Sequence, residues 1–269
     1  MSGERLTYNK LGRFAEGGMA SLSLIVLGDG RRALLRQLHA SKVLNFARHR
    51  GFRFGLRVRE ALSPHPNIVN SLEWGYYGLR PYEIIELVEG QNLKALMNSR
   101  ADILQRECVF IIVEAAEALA WIHRNGFMHL DVKPENFLLR ETSSKPVVKL
   151  TDFDLAKRST DNSPHPQPGT PGYMAPEQFN DKTAFPASDV FAFCLMAYQL
   201  CTGKSPFVGS TVRELRRHQS DMKTVPRAPL ELNPNMPSRL SAIIMRGLEK
   251  RRENRYADMC ELVADLKKK

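Results

Sequence analysis

Cysteine and tryptophan are scarce in this sequence of 269 residues, which holds four of the first and two of the second. Cys108, Cys194, Cys201 and Cys260 show no Cys-x-x-Cys spacing, so neither a structural zinc site nor a disulfide framework is expected. Cys194 and Cys201 lie seven apart in an apolar helical pattern, where reduced thiols pack as small hydrophobes. Long apolar runs are missing too. The best stretch, Val190 to Cys201, contains Gln199 and falls short of the roughly 18 residues that a membrane span needs. The opening Met-Ser-Gly-Glu-Arg lacks the basic start and apolar stretch of a secretory leader, so a cytoplasmic protein is expected.

Acid is in deficit. Twenty-nine Asp and Glu face 39 Lys and Arg, a formal charge of +10. The excess gathers between Arg31 and Glu60, where nine basic residues (31, 32, 36, 42, 48, 50, 53, 57, 59) meet one acid, Glu60. Such a patch suits an acidic protein partner, or is a solvated helix face. No aromatics alternate with these charges in the manner of a nucleic-acid surface, so nucleic acid is not the expected ligand.

What is present is ordinary globular material: 43% hydrophobic and 25% charged residues, enough for a real core. Ser21–Leu27 and Ala33–Leu38 read as a hairpin around Gly28-Asp29-Gly30. Residues 40–62 are charged and helix-compatible, weakened by Gly51 and Gly55. Ile68–Tyr77 and Tyr82–Val88 read as strands. After Gly90 the pattern turns helical, with helices over Asn92–Asn98, Cys108–His123 and Val190–Leu200 and near Thr211, Ser238 and Tyr256. Short strands at Phe137–Leu139 and Val147–Leu150 interrupt it, and the Pro- and Ser-rich stretch 159–171 reads as a loop. No internal repeat is visible.

The chemistry concentrates in His129-Leu130-Asp131-Val132-Lys133-Pro134-Glu135-Asn136. Phosphoryl transfer to a hydroxyl needs a carboxylate to orient the nucleophile, a cation at the moving phosphate and oxygen ligands for Mg²⁺. Asp131, Lys133 and Asn136 supply one of each. Sixteen residues beyond Asn136, Asp152-Phe153-Asp154 follows a strand and offers another carboxylate for the metal.

With these motifs the chain resembles a eukaryotic-type Ser/Thr protein kinase, of the compact kind common in bacteria. Gly169-Thr170-Pro171-Gly172-Tyr173-Met174-Ala175-Pro176-Glu177 resembles the family's peptide-positioning loop and Ala-Pro-Glu motif. The resemblance implies an α+β, bilobal kinase fold, with residues 1–88 as a β-rich lobe bearing one helix and 89–269 as a helical lobe. It implies ATP and Mg²⁺ as cofactors and a protein hydroxyl as acceptor. Asp131, Lys133 and Arg36 then carry catalysis, Asn136 and Asp152 hold metal, and Thr170 goes with Ser/Thr acceptors. Gly17, Gly18, Leu22, Ala33, Arg36, Glu86, Val88 and Leu138 are the implied nucleotide contacts, with Ile85 as gatekeeper. Asp189 is implied to brace the catalytic loop, and Arg255 to pair with Glu177.

The first third departs from the family pattern. Ala15-Glu16-Gly17-Gly18-Met19-Ala20 keeps the middle glycine of the phosphate loop and replaces the other two with alanine. In Ala33-Leu34-Leu35-Arg36 the expected lysine is Arg36, which keeps the charge but not the shape. Counted back from His65-Pro66-Asn67, Leu56 falls where that lysine's glutamate partner belongs, and Glu60 lies one turn on. Either Glu60 substitutes through a shifted helix or the ion pair is absent, and absence is the expectation. Asp154 replaces a glycine and is expected to restrict its loop, as a metal ligand or facing water. Leu130 replaces a phosphate-reading arginine, which removes the need for loop phosphorylation at Ser159, Thr160 or Ser163. The expected activity is a slow or partner-stimulated Ser/Thr kinase. The alternative is a pseudokinase that serves as a regulatory binding module; the full Thr170–Glu177 segment argues against a small-molecule kinase.

Overall fold

The computed structural model describes residues 6–161, 163–164, 167 and 169–268. The first five residues, on which the expectation of no secretory leader rests, lie outside the described residues. The chain divides into two compact units: the stretch up to Glu89 with Thr151–Asp154, and Gly90–Leu150 with Leu155 onward.

The first unit is a five-stranded antiparallel sheet with one long helix. Its strands are β1 (Tyr8–Glu16), β2 (Ala20–Leu27), β3 (Arg32–Leu38), β4 (Ser71–Tyr77) and β5 (Arg80–Glu86), in the order β1-β2-β3-β5-β4. The sequence pattern shows no strand before Ser21 because β1 is exposed along nearly its whole length and so carries no apolar alternation. Alternation on β3 splits its side chains between two faces. Ala33 and Leu35 join Ile25, Leu27, Tyr82 and Ile84 in one core cluster. On the other face Leu38 packs with Ala20, Phe52 and Leu56 of helix α1 (Phe46–Leu62). Asn45 caps α1 by accepting from the Arg48 N–H. The helix starts later than residue 40; Ala40–Lys42 is a separate 3₁₀ turn.

Gly51 and Gly55 prove to be packing residues rather than weak points. A Cβ on Gly55 would stand 2.8 Å from the Phe153 carbonyl oxygen, and one on Gly51 3.1 Å from that of Asp154. With no side chain between them, the main chain of Phe153 and Asp154 lies directly on α1.

The second unit is mainly helical. It holds β6 (Gln91–Asn92), α2 (Leu93–Ser99), α3 (Asp102–Arg124), β7 (Phe127–Met128), β8 (Phe137–Arg140), β9 (Val147–Leu150) and β10 (Lys157–Arg158). It continues through α4 (Pro176–Asn180), α5 (Pro186–Thr202), α6 (Val212–Ser220), α7 (Pro229–Leu232), α8 (Ser238–Gly247) and α9 (Met259–Lys267). Helix α5 is buried almost all round, and α3, α7, α8 and α9 pack against it. The helix expected near Tyr256 is a 3₁₀ turn, Arg252–Asn254, followed by α9, whose start is capped by Asp258. Among the described residues no helix is long and apolar enough to cross a membrane.

Candidate active site

Two polar clusters stand out, one in each unit. In the second unit the segment 129–136 runs from β7 into β8 through a 3₁₀ turn at Pro134–Asn136. Asp189, in the first turn of α5 and almost wholly buried, fixes its path. One oxygen accepts from the His129 N–H (2.7 Å) and from His123 Nε2 (3.0 Å); the other accepts from the Leu130 N–H (2.8 Å). Leu130 takes a left-handed backbone (φ 63°) and packs with Met128 and Ala184, so an apolar contact fills the place of the phosphate-reading arginine.

This path brings Asp131, Lys133, Asn136 and Thr170 together. The Thr170 hydroxyl donates to Asp131 Oδ1 (2.9 Å), and Lys133 Nζ reaches both Asp131 Oδ2 (2.6 Å) and Thr170 Oγ1 (3.0 Å). Asn136 Nδ2 donates to the Asp131 carbonyl (2.7 Å) and to Asp131 Oδ2 (3.2 Å). Both amide hydrogens are thus directed at Asp131, which leaves Oδ1 of Asn136 as its ligand atom. Glu177 anchors the far end of the Gly169–Glu177 segment. It takes two parallel bonds from Arg255, each 2.9 Å, and a third from the Ser188 hydroxyl (2.6 Å). Leu138 sits on β8, half-buried, in register with Asn92 and Lys149.

In the first unit the centre is Arg36, buried on β3 on the face toward α1. Its NH1 donates to Glu83 (3.0 Å), its cross-strand neighbour, and its NH2 to Asp154. Asp152 Oδ1 stands 3.7 Å from the same NH2, and the guanidinium lies over the Phe52 ring at 4.5 Å. Glu83 also takes Arg59 Nε (3.1 Å). Arg59 reaches the Val69 carbonyl (3.1 Å) and Thr151 Oγ1 (3.3 Å), over the Phe153 ring. Two arginines and two carboxylates therefore form a buried, charge-balanced quartet.

Burial pushes the Asp154 carboxyl up to about 6 against the pull of Arg36. Burial alone would lower Arg36, but Asp154, Glu83 and Asp152 together raise it above its ordinary value. Asp152 has a left-handed backbone (φ 62°), which aspartate tolerates better than most residues, and its side chain is 43% exposed.

Several expectations need correction here. Asp154 does not face water; it is buried on Arg36, and its φ lies outside the left-handed region, so the position makes no conformational demand for glycine. Arg36 and Arg59 are consumed by the quartet and are no part of a solvated basic face. Ala33 is wholly enclosed in the opposite core cluster; alternation places Leu34, paired with Ile85, on the Arg36 face instead. Leu56 is buried beside Phe52, and Glu60 is exposed.

The remaining nucleotide candidates lie along the same sheet. Gly17 and Gly18 form the exposed turn between β1 and β2, closed by the Gly17 N–H to Ala20 carbonyl bond (2.9 Å). A Cβ at Gly18 would meet nothing within 4 Å, so the protein's own packing does not require glycine there. Leu22 is half-buried and paired with Arg36. Glu86 ends β5 and accepts from the Asn70 N–H (2.8 Å); Val88 follows, half-buried. Leu34 and Glu83 were not among the sequence candidates, and Asp154 reads from sequence only as a metal ligand or a water-facing acid. The signals were a lone acid in the apolar run Tyr82-Glu83-Ile84-Ile85 and the two-residue spacing of Leu34 from Arg36.

A family model described as a protein kinase domain matches residues 27–265. The chain is 30% identical, over 96% of its length, to the probable serine/threonine-protein kinase PknB of Lactococcus lactis. It is 31% identical to PknB of Mycobacterium leprae over 93% of its length, and 31% to the serine/threonine-protein kinase Pkn1 of Myxococcus xanthus over 92%. It spans 41%, 41% and 36% of those proteins, so each relative is more than twice the matched length.

Proposed function

The chain belongs to the protein kinase domain family, and from that premise we propose that it moves the γ-phosphate of ATP to a serine or threonine hydroxyl of a protein. The observation that carries this reading is the ring of Asp131, Lys133 and Thr170. A carboxylate held between a hydroxyl and an ammonium can orient an incoming hydroxyl and accept its proton. The ammonium of Lys133 then offsets charge on the phosphoryl group as it moves. Thr170, bonded to both, ties the peptide-positioning segment to that carboxylate.

Asn136 and Asp152 are our Mg²⁺ ligands. Both offer oxygen, which a hard cation prefers. Asp152 stands at the edge of the Arg36–Glu83–Arg59–Asp154 quartet, with its Oδ1 3.7 Å from Arg36 NH2. Among the described residues no group of three or more His, Cys, Asp or Glu could cage a metal alone, and Mg²⁺ ordinarily takes one or two protein oxygens beside phosphate and water. When bound, it offsets phosphate charge. Arg36 is our phosphate partner. Gly17 and Gly18 leave room for close approach, and Leu22, Leu34, Leu138 and the main chain of Glu86 and Val88 are assigned to the adenine. The protein is read as cytoplasmic. The acidic-partner reading narrows to the exposed Arg48, Arg50, Arg53 and Arg57 of α1.

The test is an ATP titration by thermal shift, with and without Mg²⁺, on wild type and Asp152→Asn, followed by a phosphate-transfer assay with Asp131→Asn. The reading expects a Mg²⁺-dependent shift that Asp152→Asn loses. It also expects transfer that Asp131→Asn abolishes with ATP binding kept. Binding without transfer by wild type favours the pseudokinase alternative, and no shift at millimolar ATP rejects the nucleotide site.

A further inference from the structure

The quartet in the first unit has a consequence for the nucleotide strand. Leu56 gives α1 no carboxylate to offer Arg36, and Glu60 is exposed, yet Arg36 is not left unpaired. Its terminal nitrogens are held by Glu83 on the neighbouring strand and by Asp154. Asp154 reaches it because Gly51 and Gly55 let the Phe153–Asp154 main chain lie on the helix with no side chain between. The three departures are thus complementary. A longer, forked cation at 36 meets an acid arriving from 154, while the helix position that no longer supplies the acid is apolar.

We propose that Asp154 is the positioning residue for Arg36, and that it performs the duty the helix carboxylate has in the family pattern. The inference rests on the nucleotide reading above. Asp154 Oδ2 fixes NH2 of Arg36, while Oδ1 is buried with no hydrogen-bond donor among the described residues, so the carboxylate's compensation comes from Arg36. The pairing is mutual: removing the acid frees the cation to shift, and removing the cation strands a buried acid. Each terminal nitrogen of Arg36 uses one hydrogen on a carboxylate. NH2 keeps a second hydrogen for a phosphate oxygen, and Asp152 Oδ1 stands 3.7 Å from that nitrogen. The Thr151–Asp154 segment is thereby tied to β3 through the residue that meets phosphate, in addition to its contacts with α1 through Arg59 and the two glycines.

A double-mutant cycle tests this, with Asp154→Asn, Arg36→Gln and the pair, each titrated with Mg²⁺–ATP by thermal shift. Asp154→Asn keeps the volume and removes the charge. In the wild-type background it is expected to weaken nucleotide binding about tenfold to a hundredfold, the range of one charged hydrogen bond. In the Arg36→Gln background it is expected to change binding less than about twofold. Equal weakening in both backgrounds, or none in either, overturns the inference while the nucleotide reading stands. If wild type itself binds no nucleotide, that reading fails and takes the inference with it.

Should Asp154→Asn not fold, a second pair carries the test. Asp154→Gly is expected to weaken binding likewise, and Leu56→Glu added to it to restore affinity to within about threefold of wild type. Leu56 lies one helical turn from Phe52, whose ring the Arg36 guanidinium covers. A folded double variant no better than Asp154→Gly alone overturns the assignment. A purely structural role for Asp154 predicts no such rescue.

Discussion

Arg36 shows how much a single residue's geometry decides. Lysine offers one ammonium on a flexible stem, whereas arginine presents a planar fork that can hold two carboxylates at once. Here the fork is used, with Glu83 on NH1 and Asp154 on NH2. Arg36→Lys restores the family residue but cannot span both acids. It is expected to lower stability by about 1.5–3 kcal/mol, the scale of one charged hydrogen bond in a buried site, and to weaken Mg²⁺–ATP binding rather than improve it. Urea unfolding and the nucleotide titration check this together. A variant that binds ATP more tightly than wild type would show that arginine is an imperfect substitute and not the centre of a rebuilt site. Asp131 shows the same economy. One carboxylate is held by a hydroxyl, an ammonium and an amide, and three of those four residues come from one eight-residue motif. That is why the second-unit cluster was legible in the sequence: its members are close in the chain and their chemical types are distinctive.

Elements carry the parts that were less legible. The first-unit cluster joins β3, α1, β5 and Thr151–Asp154, with Arg36 and Asp154 separated by 118 positions. No local pattern announces a pairing at that distance, so Asp154 read as a metal ligand or a water-facing acid. Gly51 and Gly55 were read through helix propensity, which penalises glycine. Packing overrides propensity where a neighbouring main chain needs the space. Strand β1 escaped because exposure erased its alternation. The strands and long helices of the core were legible because burial enforces their periods. The glycine argument makes a sharp prediction. Gly55→Val places its Cβ under 3 Å from the Phe153 carbonyl, a backbone atom that cannot rotate away. It is expected to destabilise by about 1–3 kcal/mol through overpacking, despite a small gain in helix propensity. Gly51→Ala, with 3.1 Å available, is expected to cost less. Equal unfolding midpoints for wild type and Gly55→Val would show that the main-chain contact is soft.

Across the whole chain, a charge of +10 means that many cations must find water or a partner, and Lys250 is one that gets only part of each. Its Nζ donates to the His218 carbonyl (3.0 Å) and lies over the Phe207 ring at 3.5 Å. Burial pulls its pKa down to about 7, with Arg255 adding to the fall and Asp221 opposing it. An unfolded lysine titrates near 10.4. Between about pH 7 and 10.4 the unfolded chain therefore holds this proton more often than the folded one, and stability rises with pH across that window. Below pH 7 both states carry the charge, and the folded state bears the full cost of burying it. Lys250→Met keeps the stem's packing and removes the titration. It is expected to raise the urea midpoint most at pH 6.5 and to flatten the rise expected of wild type up to pH 9.5. Parallel curves for the two proteins would mean that the ammonium stays hydrated beside Phe207 and that its burial does not tax the fold.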